Sequence, residues 1–211
     1  MDGRRISEIM SIRKIVTLPD PVLRTRARKI KVFDGKVQRL ADDMLETMRA
    51  APGVGLAAPQ LGHSQRLILV EYAESPDDPE APPVPPKLFV VANPEIVRHS
   101  TETVSANEGC LSIPGYLGEV ERFQSITLRG YNLHGKPLRV KATGWLARIF
   151  QHEIDHLDGV LFIDRATQVW KVEDQEAVQV SPTQDESRKP QAVSGQQLAI
   201  SSKQLAVSNK Q

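Results

Sequence analysis

The sequence predicts an α+β fold, with antiparallel or mixed β-sheets around a central helix that bears an HExxH motif and with a second, N-terminal helix. Several segments rich in β-branched and apolar residues predict strands, and two segments carry apolar residues at helical spacing. No strand–helix alternation repeats along the chain, which disfavours a parallel α/β sheet. The 211 residues, 40% of them hydrophobic, are enough for one globular core.

The N-terminal half of the chain predicts one amphipathic helix between strands. Apolar residues at helical spacing give this helix its buried face, Asp34 is placed to cap its start, and Pro52 follows its end. The predicted segments are a strand at 12–18, the helix at 35–50, a small-residue loop at 53–62, a strand at 66–72, a proline-rich surface loop at 74–87 and a strand at 88–97 broken near Pro94.

The C-terminal half predicts a hairpin, the second helix and a polar extension. The segments are a strand at 119–131, a turn at 132–135, a strand at 137–142 and a helix at 143–157 that ends before Gly159. Residues 174–211 are rich in Gln and Ser, which indicates a mobile tail or, over 196–207, a weak helix. The predicted organisation is a flexible leader at 1–11, a folded domain at 12–166 and an extension at 167–211.

Composition and charge disfavour several classes of function. A formal net charge of +1 gives no general attraction to nucleic acid or to an anionic membrane. No apolar run approaches the ~20 residues that a membrane span needs, and no signal-peptide core follows the basic N-terminus. The single cysteine cannot form a disulfide within the chain. We expect a cytoplasmic protein without a nucleic-acid or membrane partner.

The segment with the most chemical information is the HEIDH sequence at 152–156, on the second predicted helix. Histidines four residues apart, here His152 and His156, project from one helix face, so two imidazole nitrogens can reach one ion at about 2.0–2.1 Å. Glu153 lies close enough to touch a bound water without occupying a ligand position. The alternative is a solvated helix with acidic neighbours, because HExxH also arises by chance.

The third ligand distinguishes the kinds of site that an HExxH helix can form. A metzincin protease needs a histidine where this chain has Phe162, which cannot bind an ion. Another protease class uses a later glutamate, and Glu173 and Glu176 lie at the edge of the polar tail. Cys110, in a Gly-flanked turn, is the better ligand, because one thiolate and two histidines leave a fourth position open for water. A metalloprotease and a structural metal module remain alternatives, and His63 is the histidine to examine as a fourth ligand.

Three segments resemble motifs of the peptide deformylase family, in family order and at similar spacing. They are GVGLAAPQ at 53–60, EGCLS at 108–112 and QHEIDH at 151–156. The resemblance covers residues 12–166 and identifies them as a catalytic domain. It implies a metal-dependent hydrolase that removes the N-formyl group from the initiator methionine of new polypeptides and releases formate.

The resemblance also implies a division of roles within the site. The residues that hold one divalent metal ion are Cys110, His152 and His156. A metal-bound hydroxide attacks the formyl carbon, and Glu153 serves first as general base and then as general acid. The side chain of Gln60 and the backbone N–H of Leu111 face the oxyanion that develops.

A peptide substrate needs backbone pairing and a pocket for the methionine side chain. The resemblance implies that the peptide lies as an added strand along Val54, Gly55 and Gly109. Ile149 and Trp145 precede the HExxH motif by one and two turns and are placed to line an apolar pocket. Simple core packing is the alternative explanation for both side chains.

Acidic residues beside the ligands predict an outer layer of hydrogen bonds around the metal. Glu108 and Asp155 each adjoin a predicted ligand in sequence or on the helix. The resemblance suggests Arg122 as the ion-pair partner of Glu108, and the alternative for Arg122 is a surface charge.

The residue types leave the identity of the ion open. A mixed Cys/His site accepts Fe(2+), Zn(2+), Ni(2+) or Co(2+), and the resemblance implies ferrous iron in the cell. The implied partners are N-formylmethionyl nascent peptides. Contact with the ribosome through the C-terminal extension is a further hypothesis.

Overall fold

The computed structural model describes residues 12–73 and 84–172. Its elements in chain order are α1 Gly35–Ala50, β1 Gly55–Ala57, β2 Leu67–Tyr72, β3 Lys87–His99, β4 Thr103–Cys110, β5 Ile113–Phe123, β6 Ser125–Tyr131, β7 Pro137–Thr143, α2 Gly144–Leu157, α3 Phe162–Arg165 and β8 Gln168–Lys171. Single-turn 3₁₀ helices occupy Pro21–Arg24 and Ala58–Leu61. The predicted α+β class is confirmed.

The strands form two sheets in which every named pair is antiparallel. One sheet has five strands in the order β1-β2-β3-β6-β7, and the other has three in the order β4-β5-β8. β1 and β4 are therefore edge strands of their sheets. Both of them border the cleft that contains the candidate site.

The five-stranded sheet is buried on both faces because a helix covers each face. Along β2, Ile68 and Val70 belong to the apolar cluster around α2, whereas Leu67 and Leu69 belong to the cluster around α1. Successive residues of a strand point to opposite faces, which explains why this run is apolar throughout. Core packing thus fixes α2, the helix that carries the HExxH motif.

The helix α1 has the bounds that the sequence predicts. The carboxylate of Asp34 accepts hydrogen bonds from the backbone N–H groups of Lys36 and Val37, at 3.0 and 3.3 Å. The chain leaves the helix at Ala51, just before Pro52. A side-chain cap at one end and a proline after the other are local signals, so this prediction needed no tertiary information.

The predicted strand at 12–18 is wrong. This segment is extended, but its backbone bonds go to loop positions rather than to a strand ladder. The N–H of Val16 donates to the carbonyl of Gln60 at 2.7 Å, and the N–H of Leu18 donates to the carbonyl of Ser112 at 3.1 Å. Apolar alternation therefore located an extended segment but not its hydrogen-bond partners.

The predicted strand at 119–131 is two strands in different sheets. β5 ends at Phe123, Gln124 forms the break, and β6 begins at Ser125 in the five-stranded sheet. Neither β4 nor the N-terminal half of β5 was predicted from the sequence. Within the predicted loop at 53–62, the structure has the short strand β1 and the 3₁₀ helix Ala58–Leu61.

The chain continues as folded structure beyond residue 166. β8 pairs with β5 in the register Leu117↔Trp170, so four residues of the predicted extension belong to the three-stranded sheet. The proposed tail at 174–211, its weak helix and its ribosome contact lie outside the described residues, as do the leader at 1–11 and residues 74–83 of the predicted surface loop. No helix in 12–73 or 84–172 is both long and apolar enough to cross a membrane.

Candidate active site

The helix α2 places His152, Glu153 and His156 in the interior of the domain. It begins after Thr143 and ends at Leu157, and nearly all of its second half is buried. Gly159 follows with φ +75°, and a Cβ atom at this position would lie 2.7 Å from the carbonyl oxygen of Arg24. The chain therefore needs glycine at the end of α2 to pass the N-terminal segment.

The structure brings the three predicted metal ligands together. The ligand atoms of Cys110, His152 and His156 all lie within 4.8 Å of one another. The sulfur of Cys110 is 3.2 Å from Nε2 of His156. The predicted turn at Cys110 is wrong: Cys110 is the last residue of β4, at a register shift in the β4–β5 pairing.

These residues fit a metal ion. One sulfur and two imidazole nitrogens are a donor set that binds first-row divalent ions, and three protein ligands leave a position for water or substrate. Beside them, Oε2 of Glu153 is buried without a hydrogen-bond partner among the described residues. A buried carboxylate oxygen with no protein partner is suited to a group that enters with the ion or the substrate.

The Glu153 carboxylate packs directly against the backbone of Gly55. A Cβ atom on Gly55 would lie 2.9 Å from Cδ and 3.0 Å from Cγ of Glu153, closer than real Cβ contacts. Glu153 is 4% exposed and has little room to move away. The Glu153 side chain is therefore a reason for glycine at position 55, in addition to the space that a peptide backbone lying along Gly55 would need.

We expect Gly55→Ala to lower kcat about 10²-fold, because a displacement of about 1 Å in a catalytic group has an effect of that size. Steady-state kinetics with metal content measured in the same samples checks this. Gly53→Ala is the matched control, because the one close contact of its Cβ would be the flexible end of Leu111, at 3.0 Å, so its effect should be much smaller. A Gly55→Ala enzyme that changed only KM would instead support the substrate-backbone explanation.

A buried carboxylate orients His152. Oε2 of Glu108 accepts a hydrogen bond from Nδ1 of His152 at 2.9 Å, which assigns the proton to Nδ1 and leaves Nε2 free to bind the ion. Arg122 binds Glu108 with two parallel bonds, each of 2.9 Å. Both residues are at most 5% exposed. Loss of one partner from such a pair costs about 3–5 kcal/mol, because the other charge is left unpaired.

Asp155 belongs to the same network but does not contact a metal ligand through these bonds. Its carboxylate accepts from Arg122 at 2.5 Å and from Arg165 at 2.6 and 2.7 Å. Arg122 on β5 therefore joins the strand side of the site, at Glu108, to the helix side, at Asp155. Arg122 is a buried charge and not the surface residue that the sequence left as an alternative.

Burial and charge shift the pKa values of the clustered groups. Burial alone would raise the pKa of the Cys110 thiol, but the charge of His156 and hydrogen bonds with both histidines outweigh it and lower the pKa. Burial alone would lower the pKa of His152, but its bonds with Cys110 and Glu108 raise it. Burial raises the pKa of Glu153 to about 7 against the nearby histidines. The thiolate, which is the form that binds metal, is thus favoured.

Gln60 lies next to the cluster on the 3₁₀ helix after β1. Its carbonyl oxygen accepts from the backbone N–H of Ala57 at 2.8 Å, which fixes the orientation of the amide. Its Nε2 faces the sulfur of Cys110 at 3.6 Å. Leu111 follows the cysteine in the tight turn between β4 and β5. The two predicted oxyanion donors therefore both adjoin Cys110, Gln60 in space and Leu111 in sequence.

A cleft of about 510 Å³ opens beside the cluster. Its size is that of a site for a small ligand. All five predicted substrate-binding residues line it, namely Val54, Gly55, Gly109, Trp145 and Ile149. Ile149 is buried, and Trp145 packs partly against the same core, so core packing and pocket lining both apply to these side chains.

Several cleft residues were not found by sequence reasoning. Arg148 on α2 and Val172 after β8 line the cleft, as does the segment 113–117 of β5. Arg148 could have been singled out from the sequence, because it is a charged residue on the apolar face of α2. No local pattern indicated Val172, which reaches the cleft because β8 pairs with β5.

The alternatives to this ligand set find little support in the described residues. Phe162, at the metzincin position, is buried in a core cluster and stacks on the ring of His152 with centroids 6.4 Å apart. His63 is exposed and is not part of the ligand group found in the described ranges. Glu173 and Glu176 lie outside the described residues.

Comparisons with known proteins agree with this geometry. The family model for polypeptide deformylase matches residues 12–172. The peptide deformylase of Desulforudis audaxviator is 49% identical over 162 residues, which are 77% of this chain and 98% of that protein. The crystal structure of peptide deformylase from Ehrlichia chaffeensis has a TM-score of 0.68 at 39% identity and covers 75% of this chain and 89% of its own. A Met-Ala-Ser-bound class I type b peptide deformylase from Acinetobacter baumannii has a TM-score of 0.67 at 34% identity, with coverages of 74% and 99%.

Proposed function

The chain belongs to the peptide deformylase family, and from this premise we propose how its residues remove the N-formyl group from the initiator methionine of new polypeptides. The reaction is a metal-dependent hydrolysis of an amide that releases formate. The observation that carries the residue assignment is that Cys110, His152 and His156 converge on one point, and that Cys110, His152 and Glu153 line the adjoining cleft.

Glu153 handles the protons of the reaction. When bound at the three ligands, a divalent ion acidifies water and polarises the formyl oxygen. Glu153 accepts the proton of the attacking water as its oxygen bonds to the formyl carbon. It then gives that proton to the amine nitrogen as the C–N bond breaks, so that formate and a free N-terminus are the products. Its Oε2, which has no hydrogen-bond partner in 12–73 or 84–172, supports this role.

Gln60 and Leu111 stabilise the negative charge that develops on the formyl oxygen. The amide of Gln60 is held in place through its carbonyl oxygen. It has two N–H donors, of which one faces the sulfur of Cys110 and the other is available to the substrate. The backbone N–H of Leu111 is the second donor. Fixed donors of this kind are worth about 10²–10³ in kcat each.

The peptide lies in the cleft as an added strand. β1 and β4 are both edge strands, and they supply Gly55 and Gly109 to the cleft, where Val54 directly precedes β1. This arrangement supports pairing with an extended chain. The methionine side chain enters the apolar region lined by Trp145 and Ile149. The Met-Ala-Ser peptide bound to the Acinetobacter baumannii relative has the chemistry of the expected product.

We also propose the ion and the location. The mixed sulfur and nitrogen donors suit ferrous iron, which we place in the site in the cell, with zinc, nickel or cobalt as substitutes in purified protein.

The enzyme acts in the cytoplasm on chains emerging from the ribosome. Contact with the ribosome through residues after 172 is tested by co-sedimentation of the full chain and of a chain truncated there. Equal co-sedimentation of the two would contradict it.

Formate release from formyl-Met-Ala-Ser tests the function directly. We expect release by protein prepared without oxygen and loaded with ferrous iron, and loss of release on treatment with a chelator. Acetyl-Met-Ala-Ser is the control substrate, because a metalloprotease would cleave internal bonds in both peptides. Cleavage within the peptide, or no release with iron, zinc, nickel or cobalt, would overturn the assignment.

A further inference from the structure

In addition to Arg122, a buried arginine on α2 lies beside the candidate metal ligands and takes no part in the reaction proposed above. Arg148 lies on α2 one turn before His152 and is 5% exposed. Its guanidinium donates to Oε1 of Glu108 at 2.8 Å. It also donates to three backbone carbonyls of the smaller sheet, those of Val104 at 2.5 Å, Ala106 at 3.5 Å and Val120 at 2.8 Å.

These bonds join two elements that carry metal ligands and are distant in sequence. Three of the four acceptors belong to β4, the strand that ends at Cys110: the backbone carbonyls of Val104 and Ala106 and the side chain of Glu108. The donor, Arg148, belongs to the helix that carries the two histidines. The guanidinium therefore fixes the position of α2 along β4 without the help of an ion.

Glu108 is the point at which this connection meets a metal ligand. Its Oε1 accepts from Arg148 and from Arg122, and its Oε2 accepts from Arg122 and from Nδ1 of His152. Arg122 holds the carboxylate from β5, and Arg148 holds it from α2. Since Glu108 is 4% exposed, water cannot readily replace a lost partner.

We propose that Arg148 is a positioning residue that keeps the metal site assembled before the ion binds. By holding Glu108 against α2, it fixes the acceptor of the His152 Nδ1–H and with it the direction of Nε2. The inference rests on the metal centre of the proposed function, and it concerns how tightly the ion is held. Loss of a group that orients a ligand lowers metal affinity about 10–100-fold.

A buried arginine that contacts the same helix from outside provides a matched control, because Arg66 directly precedes β2. Arg66 is 8% exposed and donates to Asp158 at 2.7 Å and to the backbone of Leu157 at 3.2 Å, at the C-terminal end of α2. Arg148→Met and Arg66→Met both remove a buried guanidinium that joins α2 to another segment of the chain. Zinc affinity of the full-length apo proteins is measured by competition with a chromophoric chelator. The absorption spectrum with cobalt(II) reports ligand geometry, and thermal unfolding reports stability.

We expect Arg148→Met to weaken zinc binding about 10–100-fold and to shift the cobalt absorption. Arg66→Met should lower the melting temperature and leave zinc affinity and the cobalt spectrum as in wild type. Wild-type zinc binding by Arg148→Met would overturn the role of Arg148 and leave the proposed function standing. A wild-type protein that bound no metal would overturn the metal centre of the proposed function, and this inference with it.

Arg148→Lys keeps the test decisive if the methionine variant does not fold. Lysine retains the charge but lacks the planar fork that reaches a carboxylate and several carbonyls together, so we expect a partial loss of zinc affinity. Wild-type affinity in Arg148→Lys would show that only the charge matters and would overturn the proposal. In combination with Glu108→Gln, the losses should be less than multiplicative, because Arg148 acts through Glu108. Fully multiplicative losses would contradict that route.

Discussion

Glu153→Gln is expected to lower kcat about 10²–10⁴-fold while metal content stays at the wild-type level. Glutamine has nearly the shape of glutamate, so it retains the contact with Gly55, but its amide cannot accept the proton of the attacking water. Because Glu153 is not one of the three ligands, KM and metal binding should change little. The measurement is formate release from formyl-Met-Ala-Ser, with metal content determined on the same samples.

The matched control is Glu95→Gln, which makes the same chemical change on the surface. Glu95 forms an exposed pair with Arg129, with side-chain exposures of 57% and 64%, and such pairs contribute little to stability. This variant should keep the wild-type kcat. If Glu153→Gln retained more than a tenth of the wild-type kcat, its proposed role in proton transfer would be wrong.

Cys110→Ala is expected to abolish metal retention and, with it, formate release. Removal of a ligand should cost more affinity than the roughly 100-fold that loss of an outer partner costs. The fold should survive, because Cys110 only borders a small cluster, whereas the two large apolar clusters surround β2. Metal content after gel filtration and the circular dichroism spectrum together check this prediction.

Ser112→Ala separates loss of the ligand from damage to the turn. Ser112 lies two residues after Cys110, and its buried hydroxyl has no hydrogen-bond partner among the described residues. Its replacement removes a side chain from the turn that follows Cys110 and should leave metal content unchanged. Cys110→Ala protein that held one ion per chain as tightly as wild type would exclude the thiolate as a ligand.

The predictions of secondary structure were correct where the sequence signal is local. The amphipathic spacing of α1, its Asp34 cap and the proline after it determine both ends of the helix without any distant contact. The error at 119–131 has the opposite origin. The alternation that defines a strand continues from β5 into β6, and only the pairing of each strand shows that Gln124 separates two sheets.

The same distinction applies to the cleft. Periodicity placed Ile149 and Trp145 on the helix face that lines it. The role of Gly55 was only partly predicted, because its contact with Glu153 joins residues almost a hundred positions apart. β8 was not predicted at all, since its four exposed residues become a strand by pairing with β5.

The sequence by itself determined the α+β class, the helix α1 and the HExxH pattern of the second helix, because these depend on residue type and on spacing along one element. It indicated Cys110 through its residue type and the family resemblance. Only the tertiary structure decided that Cys110 ends a strand, that Arg122 is buried between Glu108 and Asp155, and that Arg148 links α2 to β4. The contacts of the two arginines join segments that are distant in sequence. A buried charge is costly unless it is paired, and no local pattern in the sequence shows which distant residue will be its partner.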